Sequence, residues 1–351
     1  MNTVKEQINI YPLGIFSKKI VEELPYLNMS NNLSKIEELY KYLPSNEQLN
    51  ELLKDEKYNT SVIAMGDLGI FLVSLKRCKS KIDTTLLEKL LLLCSDFTGL
   101  PPRDTYSSYI TYNPSNAMRT FTKDSSEIGF IEQHKFSDEA MNRAVELLLE
   151  VQNGMYDDLE FKLQLADEAI SKLTNENKLV HQRVNPTYFI KYFRDYFFPI
   201  DIEDATYDAP SGVHIANIIL LDIAIGTADE HYKNTANKLI SYLEPYDKFR
   251  IRIAMEETSI KEKFLDNSIK FNLKQLNLIK SIYRKLRIYR YVHQGLVTRY
   301  IRNQDPEVTK GTGGFPFDTF LQERIDIVEK AEEDVKRAFM HLDENYFEKK
   351  N

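Results

Sequence analysis

The chain has 351 residues, 42% of them hydrophobic and 28% charged. That balance excludes an intrinsically disordered protein and allows one large core with a smaller appendage, or two domains. A net charge of −7 without a concentrated basic patch argues against a nucleic-acid partner. Only twelve Gly and twelve Pro favour helices over a turn-rich β architecture.

In chain order, Met1 to Gln7 is polar and carries no apolar leader core. Two cysteines, Cys78 and Cys94, suit a reducing compartment, so the expected location is the cytoplasm. Residues 1–96 read as a small helical domain, with leucines at helical spacing over 33–42, 47–54 and 86–93. Residues 97–123 change character. Gly99-Leu100-Pro101-Pro102-Arg103 and Tyr112-Asn113-Pro114-Ser115-Asn116 form turns and lack helical period, as in a structured linker.

Residues 124–351 then carry longer helices, expected near 130–152, 156–173, 186–198, 213–226, 273–301 and 319–342. The helix at 213–226 is apolar almost all round, which predicts the buried centre of the bundle. Its run from Ile215 to Ile225 reads as the longest strongly apolar stretch, too short to span a bilayer, so no membrane partner is expected. No repeat and no series of strands competes. The expected class is an all-α bundle with its ligand between facing helices.

The chemistry concentrates on a few residues. His293 lies in the apolar stripe of the 273–301 helix, between Tyr289 and Leu296, where an imidazole either satisfies a core hydrogen bond or ligates a metal. Arg290, one turn earlier on nearly the same face, needs an anion. A cofactor carboxylate or the lone acid of the 213–226 helix, Asp222, would serve. Arg194 sits among Ile190, Phe197 and Phe198, a setting that calls for a carboxylate partner or else a place at the helix surface. His134 shares the face of Phe130 and Met141, either as a core histidine or as a functional one. Ser211 is a helix N-cap or a pocket residue. Gly311-Thr312-Gly313-Gly314 is an ordinary flexible loop or one that lets the backbone approach a ligand. No set of residues has zinc spacing, and no nucleophilic triad is evident.

The order of these features carries more than any one of them. Arg290-Tyr291-Val292-His293-Gln294-Gly295, followed after a spacer by Lys310-Gly311-Thr312-Gly313-Gly314, resembles the C-terminal signature of indoleamine 2,3-dioxygenases. Asn185-Pro186-Thr187-Tyr188-Phe189 through Arg194 is similar to their distal helix, and Phe130-Ile131-Glu132-Gln133-His134 to the segment bearing the distal histidine of tryptophan 2,3-dioxygenases. The likeness runs from about Gly99 to Lys336, and the run Pro101 to Thr105 is most similar to the monodechloroaminopyrrolnitrin synthase branch.

That resemblance implies a helical bundle enclosing haem b, with His293 as proximal iron ligand, Arg290 on a propionate and Asp222 behind it. It implies Gly311, Gly313 and Gly314 for close approach to the bound group, and Thr312 for closure over the substrate. Arg194 would bind the substrate carboxylate, while His134 and Ser211 would face the reacting centre. Phe130, Phe189, Tyr106 and Tyr109 would line the pocket. The implied partners are O2 and a small aromatic amino acid or indole, with an oligomer possible. The rival readings are a haem sensor or carrier without turnover, and a scaffold without cofactor.

Overall fold

The computed structural model describes residues 9–55 and 57–348; the stretch Met1 to Gln7 and the His341 side chain lie outside that description. Helix accounts for 71% of the chain and strand for 2%, the all-α architecture expected. Six helices build the N-terminal part: α1 Ile15–Glu22, α2 Leu24–Met29, α3 Leu33–Glu38, α4 Asn46–Asp55, α5 Tyr58–Arg77 and α6 Thr85–Thr98.

Helix α5 corrects the sequence reading. It is the longest apolar segment of the described chain and, by length and composition, could cross a membrane, yet 89% of its most apolar window is buried inside the protein. Burial on all sides explains why its pattern has no polar face. Two features suit it to a protein interior. Asp67, fully buried, pairs with Arg119 at 2.8 Å. Gly69 lets the helix touch the backbone of Arg103 and Asp104, where a Cβ would stand 2.1 Å from the Asp104 nitrogen.

The long helices follow: α7 Ser125–Gln152, α8 Leu159–Arg183, α9 Pro186–Tyr188, α10 Ala216–Ile225, α11 Glu230–Leu239, α12 Pro245–Glu256, α13 Ile260–Leu265, α14 Leu273–Val297 and α15 Phe317–Glu348. Helix α8 packs against both α7 and α14, α15 against α14, and α10 against α7. Helix α14 starts at a reciprocal cap, with Asn272 accepting from the Gln275 backbone and the Gln275 side chain returning to Asn272. Buried apolar side chains form one continuous cluster from Phe16 to Val335, so α1–α6 share a core with the long helices. Val184, Leu296, Tyr300, Ile301, Phe317 and Leu321 form a second, smaller cluster.

Three local departures matter. The helix expected over 186–198 is interrupted: after α9 the chain makes a π turn at Phe189–Phe193 and a 3-10 turn at Arg194–Tyr196. It then forms an unanticipated antiparallel hairpin, β1 Ile200–Ile202 with β2 Ala205–Tyr207. The helix expected from 213 starts at Ala216, preceded by a 3-10 turn at Gly212–His214, so Ser211 does not cap it. Helices α11–α13 went unread: they are short, at six to twelve residues, and α12 buries only Ile251 and Ala254.

Candidate functional site

One large cavity, about 300 Å³, opens between α7, α14, the 189–197 segment and the loop before α15. Its wall is mostly apolar and aromatic, the composition expected of a cofactor or small-molecule site. Three π turns, Ser107–Thr111, Phe189–Phe193 and Thr298–Arg302, each contribute to it, through Tyr109 and Ile110, Phe189 and Phe193, and Tyr300 and Ile301. A π turn widens the helix locally and re-aims the side chains that follow, which is why such turns collect at functional sites.

Helix α14 presents Tyr289, Arg290, His293 and Leu296 to the cavity. His293 makes no hydrogen bond within the described residues, and its ring lies parallel to Tyr289 at 6.4 Å. Burial, then the charges of Arg290 and His134, pull its pKa down to about 4. The imidazole is therefore neutral at physiological pH, with a lone pair available. Arg290 donates to Asp222 at 2.6 Å in a buried pair, while its Nε finds no partner among the described residues. Of the two anions proposed for Arg290 on sequence grounds, the structure supplies Asp222. Asp222 itself lies behind the cavity wall, where it also accepts from Thr227 at 2.7 Å.

Helix α7 faces α14 with Phe130, His134 and Asp138 at four-residue spacing. The His134 ring packs 4.1 Å from Phe130 and 6.3 Å from Tyr106. Its Nδ1 lies 2.8 Å from the Phe130 carbonyl, which can only accept, so Nδ1 carries the proton and Nε2 is left as an acceptor. Burial lowers its pKa too. The two imidazoles thus look into one cavity from opposite helices, close enough for His134 to add to the lowering of the His293 pKa.

Sequence reasoning missed Asp138, the one carboxylate on this wall among the described residues. It accepts from the Tyr106 hydroxyl at 2.7 Å, and burial pushes its pKa up to about 7 against the pull of that hydrogen bond. The signal was available, since Asp138 lies one turn beyond His134 on the same face. Tyr109, the second tyrosine of the segment, donates instead to buried Glu127 at 2.5 Å and leans its ring on Phe197 at 5.6 Å.

The remaining candidates meet at the other side. Arg194 donates to the Lys310 carbonyl at 2.6 Å. Lys310 and Pro316 close the glycine loop by a bridge, and Gly311 donates to the Phe315 carbonyl at 2.8 Å. Thr312 donates from its hydroxyl to the Pro210 carbonyl at 2.9 Å. Gly313 lies so close to the strip at 211–213 that a Cβ would come 2.7 Å from Val213 Cγ2 and 3.0 Å from Ser211 Oγ. Ser211, Gly311, Thr312 and Gly313 all reach the cavity. Gly314 does not; it is an exposed turn residue with φ +79°. The histidines without an expected role stay off the wall: His214 stacks on Tyr242 at 4.3 Å and His181 on Tyr300 at 5.8 Å.

Compared with known families, residues 5–303 match the model of the monodechloroaminopyrrolnitrin synthase PrnB. The chain belongs to that family. PrnB-family proteins are enzymes, haem-dependent oxygenases that modify a tryptophan derivative, so the sensor and the cofactor-free scaffold fall away. The cavity fits haem on its own evidence. It offers a neutral unpartnered imidazole on one wall, an apolar lining, and buried guanidinium nitrogens at Arg290 and Arg324 that lack acceptors. An iron porphyrin asks for those three things: a nitrogen ligand, an apolar slot and cations for its carboxylates.

Proposed function

We propose that this chain is a haem-dependent oxygenase of tryptophan or a tryptophan-like indole, with His293 as the protein ligand to iron in haem b. The observation that carries this reading is the pairing of neutral, unpartnered His293 with His134 across one apolar cavity. When bound, haem supplies the redox chemistry through which O2 reacts with an aromatic ring.

The residues of the chain bind, orient and exclude water. Arg194 is the carboxylate anchor. Its single strong bond to the Lys310 carbonyl leaves donors free for a second, two-pronged bond to an α-carboxylate. Because that carbonyl belongs to the glycine loop, the anchor also ties the loop down, and Thr312 fastens the same loop to Pro210. Closure there dries the cavity and fixes the substrate in one orientation. Phe130, Phe189 and Phe193 offer faces and edges to an indole, with ring centroids 5.1–5.8 Å apart.

His134 holds the proton at Nδ1 and offers Nε2, which suits acceptance of a hydrogen bond from an indole N–H. Ser211 sits beneath the loop, within reach of whatever the loop covers. Two free thiols, Cys94 buried and Cys78 partly so, accord with a cytoplasmic enzyme.

Titration of purified protein with hemin tests the ligand. We expect a Soret band that shifts when tryptophan is added, and His293→Ala should lose the ligated spectrum. Reduced protein given tryptophan and O2 should yield a product heavier by one or two oxygen atoms, or a rearranged indole. A colourless protein after hemin treatment, or a spectrum indifferent to His293→Ala, would sink the reading.

A further inference from the structure

Arg324, on α15, is the second of the two buried cavity arginines left short of acceptors. It is 3% exposed and reaches the cavity wall. Of its five N–H donors, one makes a long hydrogen bond, 3.3 Å to the Thr227 carbonyl. Its nearest acid, Asp229, is 3.7 Å away, half-exposed, and already accepts from the Tyr232 backbone at 2.8 Å as the cap of α11. Arg324 Nε is buried without any acceptor among the described residues. A buried cation so poorly served is costly unless something else supplies the anion.

The position of Arg324 narrows the choice. Its guanidinium lies over the Tyr232 ring at 4.1 Å, and the charges of Arg324, Arg290 and Asp222 all bear on that same tyrosine. Arg290 and Arg324 therefore flank one side chain on one wall. Arg194 belongs to a different wall, against the glycine loop. Asp222 occupies part of Arg290, whereas no side chain of the cavity occupies Arg324, since Asp138 is held by Tyr106. Two neighbouring cations on one wall match a ligand with two carboxylates on one edge. Haem b is such a ligand, with its two propionates on adjacent pyrroles.

We propose that Arg324 binds the second propionate of haem beside Arg290, leaving Arg194 to the substrate. This rests on the haem reading above. The edge of the porphyrin bearing the acids faces α15 and Tyr232, and Arg324 loses its unmet donors on binding. The cofactor is thereby clamped from two helices, α14 and α15, and not by the iron ligand alone.

The test measures how fast hemin leaves the holoprotein for an excess of apomyoglobin, in wild type, Arg324→Gln and Arg324→Lys, each loaded with hemin or with hemin dimethyl ester. Arg324→Gln should release hemin about ten to a hundred times faster than wild type, the loss expected for one charge-assisted bond. The diester, which has no carboxylates, should leave all three proteins at one rate. Arg324→Lys keeps the charge but not the fork, so it should fall between; if the Gln variant does not fold, the Lys variant decides by the same contrast. Equal hemin release from wild type and variants would overturn the proposal while leaving the haem reading intact. So would equal acceleration with the diester, the mark of a merely structural defect. A wild type that takes up neither porphyrin removes both.

Discussion

Two buried arginines, far apart in the chain, show how differently this protein treats the same side chain. Arg119, in the segment between α6 and α7, is satisfied at every nitrogen: Nε and Nη2 bond Asp67 at 2.8 and 3.2 Å, Nη1 reaches the Ala117 carbonyl at 2.8 Å, and Nη2 also reaches the Ile10 carbonyl at 2.7 Å, so four of its five N–H donors are used. Arg324, at the cavity, has one long bond and an orphaned Nε. Saturation marks a residue that holds the fold. Unfilled donors on a cavity wall suit a residue to a ligand, because burying a polar group without a partner costs free energy that a bound anion can offset.

The comparison can be broken in several ways. The largest effect is expected at Arg119→Ala, which strands Asp67 in the core; unfolding in denaturant should show a loss of roughly 3–5 kcal/mol, the same with or without hemin. A loss that depends on hemin would erase the distinction between the two arginines.

Arg194→Ala should lower kcat/KM for tryptophan by about ten- to a hundredfold, mostly through KM, with little change in the spectrum of the substrate-free haem protein. An unchanged kcat/KM would remove Arg194 from the set of ligand-facing cations.

Asp138 sharpens the same point with the opposite charge. Its pKa rises from an ordinary 3.8 to about 7 on folding, so the folded state holds the proton more tightly. The sign follows: its favourable contribution is full below about pH 4 and lost as pH rises through 7. Between pH 5 and 8 the hemin-free wild type should lose on the order of 2 kcal/mol that Asp138→Asn does not lose, read from urea unfolding at both pH values. Parallel losses in the two proteins would show that this carboxyl ionises freely.

The smallest effect is expected at Arg324→Leu without hemin. Removing a cation with so little to satisfy it should leave the unfolding free energy unchanged or raise it, by about 1 kcal/mol at most. A loss comparable to that at Arg119 would make Arg324 a structural residue.

Much of the site could be read along the chain because helical spacing and motif order are local. Tyr289, Arg290, His293 and Leu296 share a stripe by the geometry of the helix alone, and α14 carries all four to the cavity. The same holds for Phe130 and His134 on α7. Arg194 and Thr312 could be named as candidates, but nothing in the sequence says that a backbone carbonyl at Lys310 would hold the one and Pro210 the other.

Other features had no local signature. Helix α5 lacks an amphipathic period, so its depth is fixed by packing against Arg103, Asp104 and Arg119, 26 to 61 residues away from its own Arg77 and Tyr58. The π turn at Phe189–Phe193 depends on how aromatic rings fit around the cavity, not on the propensity of any one residue. Whether an arginine is saturated or expectant is likewise a tertiary fact: Arg119 and Arg324 have the same charge and reach, and only the acceptors the fold brings to each decide what it does. Sequence by itself determined the all-helical class, the apolar faces of α7, α14 and α15, and the residue types able to ligate iron or hold an acid. The folded chain decided which of those side chains share a wall and which are left unpaired, because hydrogen-bond saturation depends on contacts between segments far apart in sequence.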